Sequence, residues 1–433
     1  MMLKERKALI IIFVLAFLIR LIFIFLSIGP LDGDELIYDK MALSILSGNG
    51  FCAQDGHPTA YTTPLFPMFL SGVYFLFGHS YLVVKIIEAL LGSFTALIIY
   101  FISKKIFGKQ VAFIAFILMA LHHFFIRYGI LILSENLFTF WLSLNILFFL
   151  KLCQGPSRYN AAMFGLTCAL ATLTRSAYFL FVFMAVIYLF FTKKHLVLKY
   201  KELRKIIIYI FLFFITPMSL WTARNYIVFK KFIPLATESG VVLYAAYNPP
   251  QGKLLDKSVH DDITLEASRK PEVEYNNFLL KHTLISIKND PSKLYKYIPL
   301  KLMYFFSVFD WVAFRQQGAY NFSAAFMLPL SFLGIALAFR KKYSRLSLIP
   351  LLPFIYFLLI TVLIMGVPRT RLPIEPYLII FMALYINYLY NNYFKLGVTF
   401  VLSSWYIFNL LLYVNSGYSK LFFKAMAEKI GIW

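Results

Sequence analysis

The stretch that decides the fold class is residues 8–36, which read ALIIIFVLAFLIRLIFIFLSIGPLDGDEL. Its first part, residues 8–28, is apolar over the roughly 20 residues that a helix needs to cross a bilayer. The run is too long for the apolar region of a cleavable signal peptide, and residues 27–30 lead into a charged turn instead of a small-residue cleavage site. We therefore predict a membrane-spanning helix whose far end meets a group of acids.

The composition extends this prediction to the rest of the chain. Of the 433 residues, 61% are apolar and only 14% are charged, whereas a soluble domain carries about 25% charged residues. A soluble multidomain enzyme and a disordered protein are therefore excluded. The three cysteines, Cys52, Cys153 and Cys168, are too few and too scattered for a disulfide framework or a metal knuckle.

Further apolar stretches predict an all-α polytopic membrane protein. They lie at residues 81–103, 110–126, 130–150, 161–175, 177–192, 206–223, 318–339, 347–366, 373–391 and 396–414. We expect about 11 transmembrane helices, within a range of roughly 10–13, because residues 65–79 and 298–314 are apolar but short or interrupted. We interpret residues 298–314 as an interfacial or re-entrant helix.

The basic residues predict the orientation. The net charge is +22, and Lys4, Arg6 and Lys7 precede the first span, which places the N-terminus in the cytoplasm by the positive-inside rule. Alternation then places the other basic clusters inside, and these inner segments contain only two acids, Glu5 and Glu202. The excess of basic residues therefore indicates membrane topology and not binding of nucleic acid. We expect a multi-pass protein of a prokaryotic plasma membrane whose active site faces outward.

Two predicted outer segments are long, and loops beyond about 15 residues are usually functional. Residues 29–64 carry several ionisable side chains: Asp32, Asp34, Glu35, Asp39, Asp55 and His57. Residues 224–297 form the other segment, and helix formers in 262–288 predict one or two surface helices. We divide the chain into an N-terminal transmembrane catalytic module (1–223), an outer loop region (224–297) and a C-terminal transmembrane module (298–433).

The densest group of acids follows the first span directly. Residues 31–38 read LDGDELIY. Three positions continue at helical spacing, namely Tyr38, Ala42 and Ile45. This spacing predicts a helix along the membrane interface with Asp34 as its N-cap.

Capping does not explain the neighbouring Glu35. A carboxylate so close to hydrocarbon is costly to ionise unless it has a partner, and its surroundings can tune it for work as a base or a metal ligand. Capping thus leaves Glu35, next to Asp34, as a candidate for base or metal chemistry.

Polar residues from distant segments fall on the same predicted face. They are Glu135, Arg175, Arg224, Asn225, Arg369 and Arg371, together with His122, His123 and Arg127. Charge inside a membrane is costly and typical of functional sites, and residues 367–373 form a turn bracketed by prolines that aims its two arginines. Guanidinium groups suit bidentate binding of phosphate. Acids beside such arginines predict transfer chemistry on a lipid-linked phosphate.

Motifs for soluble nucleotides are absent from the sequence. It contains no Walker-type glycine loop, no G-x-S-x-G elbow, no H-E-x-x-H and no G-x-G-x-x-G. This absence favours a donor that arrives through the bilayer.

The chain resembles the family 39 glycosyltransferases, which include protein O-mannosyltransferases and the lipid A aminoarabinose and galacturonic acid transferases of bacteria. The matching stretches are GDE at 33–35 with Tyr38 and Ala42, GNGF at 48–51, YTTPLFP at 61–67, LSENLF at 133–138, LTR at 173–175, WTARNY at 221–226, YNPP at 247–250 and RTRLPIEP at 369–376. In this order they cover residues 8–385. The resemblance implies the C-type glycosyltransferase fold.

The resemblance also implies roles for individual residues. Asp34 would be the general base or the carboxylate that positions the acceptor, supported by Glu35. A polyprenyl-phosphate sugar would be the donor, with its phosphate held by Arg175, Arg224 and Arg371, and transfer would invert the anomeric carbon. The remaining substrate-binding candidates are Asn225, Arg369, Glu135, Tyr61 and His57.

A divalent metal cation is the one cofactor that the resemblance raises. The aminoarabinose transferases carry Glu-Lys before their proline, where this chain has Thr62 and Thr63. A metal site like theirs is therefore in question, although His57 could compensate for the missing acid.

Taken together, the sequence predicts an integral-membrane glycosyltransferase that moves a sugar to a lipid, an envelope glycan or a protein. One alternative is a transporter or flippase of a lipid-linked or anionic substrate, although the inverted repeat typical of transporters is not visible. The other is an envelope glycan polymerase or ligase, which would lack the Asp-Glu element after the first span.

Overall fold

The structure is a computed structural model, and it describes residues 2–26, 31–192, 200–248, 261–310, 319–320, 322–341, 343, 345–364, 366 and 368–392. Nearly all of its regular elements are helices. In chain order they are α1 (Met2–Leu26), α2 (Asp34–Leu46), α3 (Leu65–Phe77), α4 (Tyr81–Phe107), α5 (Lys109–Ala120), α6 (His123–Tyr128), α7 (Ser134–Gln154), α8 (Arg158–Thr174), α9 (Phe181–Thr192), α10 (Tyr200–Phe229), α11 (Ser239–Tyr247), α12 (Asp262–Ser268), α13 (Glu272–Asn289), α14 (Lys293–Lys296), α15 (Ile298–Phe306), α16 (Phe322–Arg340), α17 (Leu351–Leu363), α18 (Pro368–Arg371) and α19 (Glu375–Asn392). Two short strands, β1 (Phe309–Asp310) and β2 (Ala319–Tyr320), pair antiparallel.

The chain divides into two compact units. Unit 1 consists of Met1–Leu235, Met327–Phe354 and Pro373–Leu389, and unit 2 consists of Ala236–Phe326, Ile355–Leu372 and Tyr390–Trp433. Both units are discontinuous in sequence, whereas the parts predicted at 1–223, 224–297 and 298–433 are consecutive. This division into three parts stays a prediction.

Seven helical segments in the described residues are long and apolar enough to cross a bilayer. They are Leu3–Phe25, Tyr81–Phe107, Ser134–Gln154, Tyr200–Phe229, Ser323–Arg340, Leu346–Leu363 and Arg369–Asn392. This confirms the predicted multi-pass membrane class. Shorter apolar helices cover Leu65–Phe77, Lys109–Ala120 and Ser176–Thr192, and the predicted span at 396–414 lies outside the described residues.

The predicted span at 110–126 is not one continuous helix. Helix α5 ends at Ala120, and α6 begins at His123 after a break in which His122 adopts an extended backbone (φ −66°, ψ 107°). The buried imidazole of His122 lies 3.4 Å from the buried carboxylate of Glu375. The chain thus turns where a polar pair forms inside the bundle, which hydropathy alone does not reveal.

Within the predicted stretch 298–314, of which the structure describes residues 298–310, the helix is short, in agreement with the interpretation as a segment that does not span the membrane. Helix α15 has nine residues, and at 1.5 Å per residue it is far too short for a hydrocarbon core of about 30 Å. The short strand β1 follows it directly.

Small residues allow the helices of unit 1 to pack closely. Helix α8 packs against α7 and α10, and α4 packs against α1, α5 and α7. At Gly165 of α8, a Cβ atom would collide with the backbone carbonyl of Ile210 in α10, so only glycine permits this approach. Small residues at helix interfaces are typical of membrane bundles, where close van der Waals packing drives association.

The pair of helices α2 and α3 lies against α4 and α7 through an apolar cluster. Its buried members are Ala42, Phe66, Leu70, Val73, Tyr74, Val84, Ile132 and Leu137. Four of these residues come from α3, which packs against both α2 and α4. The acids at the start of α2 are therefore carried on a packed element and not on a loose loop.

In unit 2, helices α11, α12 and α13 pack together. The amide of Asn276 in α13 accepts a hydrogen bond from the N–H of Gly240 at 2.6 Å. Asp261 and Thr264 form a capping box at the start of α12, and donors from Tyr244 and Thr264 hold the pKa of the Asp261 carboxyl below its usual range despite its partial burial. Helices α12 and α13 confirm the surface helices predicted within 262–288.

Candidate functional site

Asp34 lies at the first position of α2, and its side chain is exposed. The N-cap is Gly33, whose φ of +55° lies in the left-handed region that glycine adopts without strain. No side chain caps this helix end, so the prediction that Asp34 is the N-cap is wrong. The glycine turn takes the capping position, which leaves the Asp34 carboxylate at the protein surface.

Glu35 is buried and serves as an acceptor for backbone groups. Its Oε1 accepts the N–H of Ile132 at 2.8 Å, and its Oε2 accepts the N–H of Asp32 at 3.3 Å. Ile132 lies in the connection between α6 and α7. The carboxylate therefore ties the start of α2 to the start of α7, and these donors offset part of the cost of its burial.

Three residues after Ile132, Glu135 enters the first turn of α7 and forms an ion pair. Its fully buried carboxylate lies 2.8 Å from Nη1 of Arg175, whose side chain is 26% exposed. Arg175 follows α8 directly as its C-cap. The ion pair thus places a buried carboxylate against Arg175, whose side chain remains partly exposed.

The segment that contains Tyr61 is fixed next to Arg175. The hydroxyl of Thr63 donates to the carbonyl of Thr174 at 2.8 Å, and the N–H of Tyr61 donates to the hydroxyl of Thr59 at 3.0 Å. The ring of Tyr61 is half-buried. The first loop and the end of α8 are therefore held in register with each other.

Arg224 holds the other side of the same loop. Its Nη1 donates to the carbonyl of Thr59 and its Nη2 to the carbonyl of Phe51, both at 2.7 Å. The guanidinium also lies 5.0 Å from the ring centroid of Trp221. Both terminal nitrogens of Arg224 thus donate to backbone carbonyls, which favours a structural role for this residue over phosphate binding.

Asn225 extends this junction. Its side chain is buried, and its Nδ2 donates to the carbonyl of Ile233 at 3.0 Å while its Oδ1 accepts from Arg224 at 3.1 Å. The residue therefore joins the end of α10 to the segment that follows it.

His57 lies at the exposed tip of the first loop, beside an isolated bridge between Cys52 and Pro58. Its backbone N–H donates to Asp55 at 3.0 Å, and its carbonyl accepts from the N–H of Ala53 at 2.8 Å. These hydrogen bonds stay within the loop and fix the backbone of His57 there.

Arg369 and Arg371 belong to unit 2, on the short helix α18. Arg371 is fully buried, and its Nη1 donates to the carbonyls of Phe305 at 2.5 Å and Ser307 at 3.0 Å. Arg369 is only half-buried. The two predicted phosphate ligands therefore differ, because Arg371 holds the end of α15 while Arg369 lies nearer the surface.

Lys301 is a buried cation in α15 that the sequence reasoning missed. Its Nζ lies 4.0 Å from the ring centroid of Tyr247 and 3.4 Å from the carbonyl of Val362, and the hydroxyl of Tyr247 donates to the carbonyl of Leu363 at 2.5 Å. Burial lowers the pKa of Lys301 to about 8. A lone lysine between the apolar residues of 298–306 was the available signal.

Glu88 in α4 was also missed. It is fully buried beside α7, where Asn136 donates to its backbone carbonyl at 3.3 Å. A single acid in an apolar span is a signal for a functional or structural polar site, and that signal was present in the sequence.

Potential metal ligands do not converge in the residues that the structure describes. No group of three His, Cys, Asp or Glu side chains there is arranged so that it could hold a metal ion. These residues therefore do not supply a ligand set for a divalent cation, and its involvement stays a prediction of the sequence.

In unit 1 the contacts join most of the predicted residues into one connected site. Glu35 binds the connection before α7, Glu135 of α7 binds Arg175, the neighbour of Arg175 binds the first loop, and Arg224 binds the same loop from the other side. An exposed carboxylate and a partly exposed guanidinium are thus carried on elements that brace one another.

Comparison with known proteins assigns the fold. Residues 57–221 match a family model described as dolichyl-phosphate-mannose-protein mannosyltransferase; this range contains Tyr61, Glu135 and Arg175 but not Asp34. No curated protein sequence matches the chain.

The chain is similar to two solved membrane enzymes. The oligosaccharyltransferase AglB from Archaeoglobus fulgidus, in complex with an inhibitory peptide and a dolichol-phosphate, aligns with a TM-score of 0.56 and 16% identity over 94% of this chain and 54% of that one; its apo form gives the same values. ArnT from Cupriavidus metallidurans bound to undecaprenyl phosphate aligns at 13% identity over 87% of this chain and 76% of that one, with a TM-score of 0.43. This chain spans about half the length of the archaeal enzyme it matches, and the similarity to AglB confirms the predicted C-type glycosyltransferase fold.

Proposed function

We propose that this protein is an integral-membrane glycosyltransferase that moves one sugar from a polyprenyl-phosphate donor to an acceptor on the outer side of the membrane. The observation that carries the proposal is the exposed Asp34 at the start of α2, fixed through Glu35 to the chain that enters α7. Three residues further on, Glu135 holds the accessible Arg175. The proposed base, Asp34, and the proposed phosphate ligand, Arg175, are thereby held on elements that contact each other.

The chemistry assigned to Asp34 is general base catalysis. Its carboxylate takes the proton of an acceptor hydroxyl while that oxygen attacks the anomeric carbon of the donor. The bond between the anomeric carbon and the phosphate oxygen breaks, and the electron pair leaves with polyprenyl phosphate. Direct attack from the opposite side inverts the anomeric centre.

The arginines divide between two tasks. The side chain of Arg175 is partly exposed, and we assign it as the ligand of the phosphate that gains charge as it leaves. Arg224 donates to backbone carbonyls of the first loop from both terminal nitrogens, and Arg371 donates from Nη1 to carbonyls at the end of α15. In unit 2, Arg369 remains the candidate for contact with an anionic group.

The donor class and the location follow from independent features. The matched family model is described by a dolichyl-phosphate sugar, and AglB was solved with a dolichol-phosphate, which supports a lipid-phosphate donor here. The split between basic inner segments and acidic outer ones supports a prokaryotic plasma membrane with the site facing outward. The acceptor is a lipid, an envelope glycan or a protein.

A transporter or flippase is the less favoured function, because the fold is shared with AglB, a transferase. The two functions differ in what a deletion strain accumulates. Loss of a transferase removes a sugar from envelope material, whereas loss of a flippase leaves the donor on the inner leaflet. Mass spectrometry of the lipid-linked sugar pool, with and without a membrane-impermeant reagent that modifies donor on the outer leaflet, separates them.

The direct test is the substitution Asp34→Asn. Removal of a general base is expected to lower the transfer rate by roughly 10²- to 10⁴-fold without loss of expression, because Asp34 is exposed and makes no cap bond. The assay follows radiolabelled sugar from dolichyl-phosphate mannose, or from a panel of undecaprenyl-phosphate sugars, into envelope extract. Asp55→Asn, the same change at an exposed position of the same loop, should keep the rate within twofold. Full activity of the Asp34→Asn protein would refute the assignment.

A further inference from the structure

A second carboxylate on α2 gathers donors from three places in the chain. Oδ1 of Asp39 accepts the hydroxyl of Tyr74 at 2.7 Å and lies 2.9 Å from Nε2 of His79, and Oδ2 accepts the hydroxyl of Tyr81 at 3.0 Å. Tyr74 belongs to α3, His79 to the turn after it, and Tyr81 to the first position of α4. One side chain of α2 therefore contacts both of the elements that follow it.

Asp39 is buried, with 5% of its surface exposed. A carboxylate removed from water is unfavourable unless hydrogen bonds replace its hydration. Three donors supply that replacement here, and each of them is directional. The arrangement fixes the position of Asp39 more narrowly than apolar packing does, because a shift of α2 breaks several bonds at once.

The donors themselves are held in place. The ring of His79 stands edge-on between the rings of Tyr74 and Tyr81, with centroids 4.7 and 4.9 Å away and interplanar angles of 85° in both cases. Tyr74 also belongs to the apolar cluster beneath α2. The three donors are thus a preorganised cradle, which we call the Asp39 cradle (Tyr74, His79 and Tyr81).

Asp39 and Glu35 stand four residues apart and therefore on the same face of α2. Both are buried and both accept hydrogen bonds, Glu35 from backbone at the start of α7 and Asp39 from the cradle. Asp34 is exposed and lies on another side of the helix. The buried face of α2 is thus anchored at two successive turns, while the carboxylate assigned to catalysis remains accessible.

We propose that Asp39 is a positioning residue for the reaction assigned to Asp34: through the Asp39 cradle it fixes the axial position and rotation of α2. Asp39 itself does not touch the substrates. This inference rests on the proposed function. Because a displacement of about 1 Å in a catalytic group can cost as much as 100-fold in rate, loss of the anchor affects the chemical step more than donor binding.

The test compares two tyrosines of the same helix. Tyr81 and Tyr100 both belong to α4 and both donate their hydroxyls to a carboxylate, Tyr81 to Asp39 and Tyr100 to Glu5 at 2.5 Å. They are separated by roughly 28 Å of helix at 1.5 Å per residue. Tyr100→Phe is therefore a matched control that removes the same kind of bond far from α2.

We expect Asp39→Asn to lower kcat about tenfold and Tyr81→Phe to lower it about threefold, with the KM for the donor unchanged within twofold. Tyr100→Phe should leave kcat unchanged even if it lowers the melting temperature equally. The donor is the member of the sugar-phosphate panel that the wild type uses. Tyr81→Phe and His79→Gln keep the carboxylate in place, so they report on the cradle if Asp39→Asn does not fold.

Hydrogen–deuterium exchange gives a readout that needs no substrate. Exchange of the peptide that covers α2 (Asp34–Leu46) should quicken in Tyr81→Phe and stay unchanged in Tyr100→Phe. Unchanged exchange in Tyr81→Phe, or a kcat loss that is equal in both tyrosine variants, would overturn the positioning role. Failure of the proposed function gives a different result, because the Asp34→Asn protein would then be as active as the wild type. The exchange measurement would still report on the contact between Asp39 and its cradle.

Discussion

At the scale of single residues, the structure separates side chains that the sequence treats alike. Arg175 and Arg224 both follow apolar helices or end them, and both were expected to bind phosphate. Arg175 shares its charge with one buried carboxylate and is partly exposed. Arg224 donates to two backbone carbonyls at 2.7 Å. Two arginines in similar sequence contexts therefore have different roles, because the acceptors that each guanidinium contacts come from other segments of the chain.

This difference predicts distinct effects of substitution at Arg175. Arg175→Gln should raise the KM for the polyprenyl-phosphate donor at least tenfold, because a charge-assisted contact to phosphate is lost. Arg158→Gln is the matched control, since Arg158 is exposed at the opposite end of the same helix, α8. Steady-state kinetics over a range of donor concentrations measure both. A donor KM that is unaltered in Arg175→Gln would remove Arg175 from the binding site.

Sequence reasoning located the two acids at the start of α2 but assigned the N-cap to the wrong residue. The prediction of a helix after residue 33 is correct, because the apolar spacing of α2 is a local property. The prediction that Asp34 caps that helix is wrong, because Gly33 occupies the N-cap with a backbone conformation that a sequence pattern does not specify. The partner of Glu35 lies 97 positions away at Ile132, so no local signal could identify it.

At the scale of helices and turns, close approach and mutual capping position the site. Helices α8 and α10 meet at Gly165, and α8 carries Arg175 while α10 carries Arg224. In unit 2, Arg371 of α18 binds the carbonyls at the end of α15, while Lys301 of α15 and Tyr247 of α11 bind the carbonyls at the end of α17. Cations placed at helix C-termini also complement the helix dipole.

The helix contact at Gly165 gives a stability prediction. Gly165→Ala should lower the melting temperature and, by moving α8 away from α10, the activity, since the new Cβ would overlap the carbonyl of Ile210. Gly72→Ala is the control: Gly72 lies inside α3, and nothing stands within 4 Å of an added Cβ. Alanine there is expected to be neutral or stabilising by up to about 1 kcal/mol. Thermal unfolding in detergent compares the two, and equal melting temperatures would contradict the tight contact.

At the scale of the whole molecule, charge placement should decide how the chain sits in the membrane. Basic residues cluster in predicted inner segments, whereas the acids of 29–64 lie in a predicted outer one. The family match at residues 57–221 leaves the Asp-Glu element outside its range, and the similarity to AglB covers 94% of this chain but only 54% of that enzyme. The fold is therefore assigned for nearly the whole chain.

Orientation is testable with single cysteines. Asp55→Cys in the first loop should react in intact cells with a membrane-impermeant maleimide, and Arg158→Cys should react only after permeabilisation. Both positions are exposed, and the native Cys52, Cys153 and Cys168 are buried, so background labelling is expected to be low. The reverse pattern would place the site on the cytoplasmic side and contradict the orientation derived from the positive-inside rule.

The sequence by itself determined the membrane class, the helical architecture and the acids at the start of α2, because hydropathy and helical spacing act over a few turns. Only the tertiary structure decided which carboxylate is exposed, which arginine is committed to backbone and that Asp39 anchors α2. These outcomes depend on donors and acceptors that lie tens of residues or more apart in the chain and meet only when the helices pack. In a low-dielectric bundle, each buried polar group must find such a partner, and folding alone determines which one it meets.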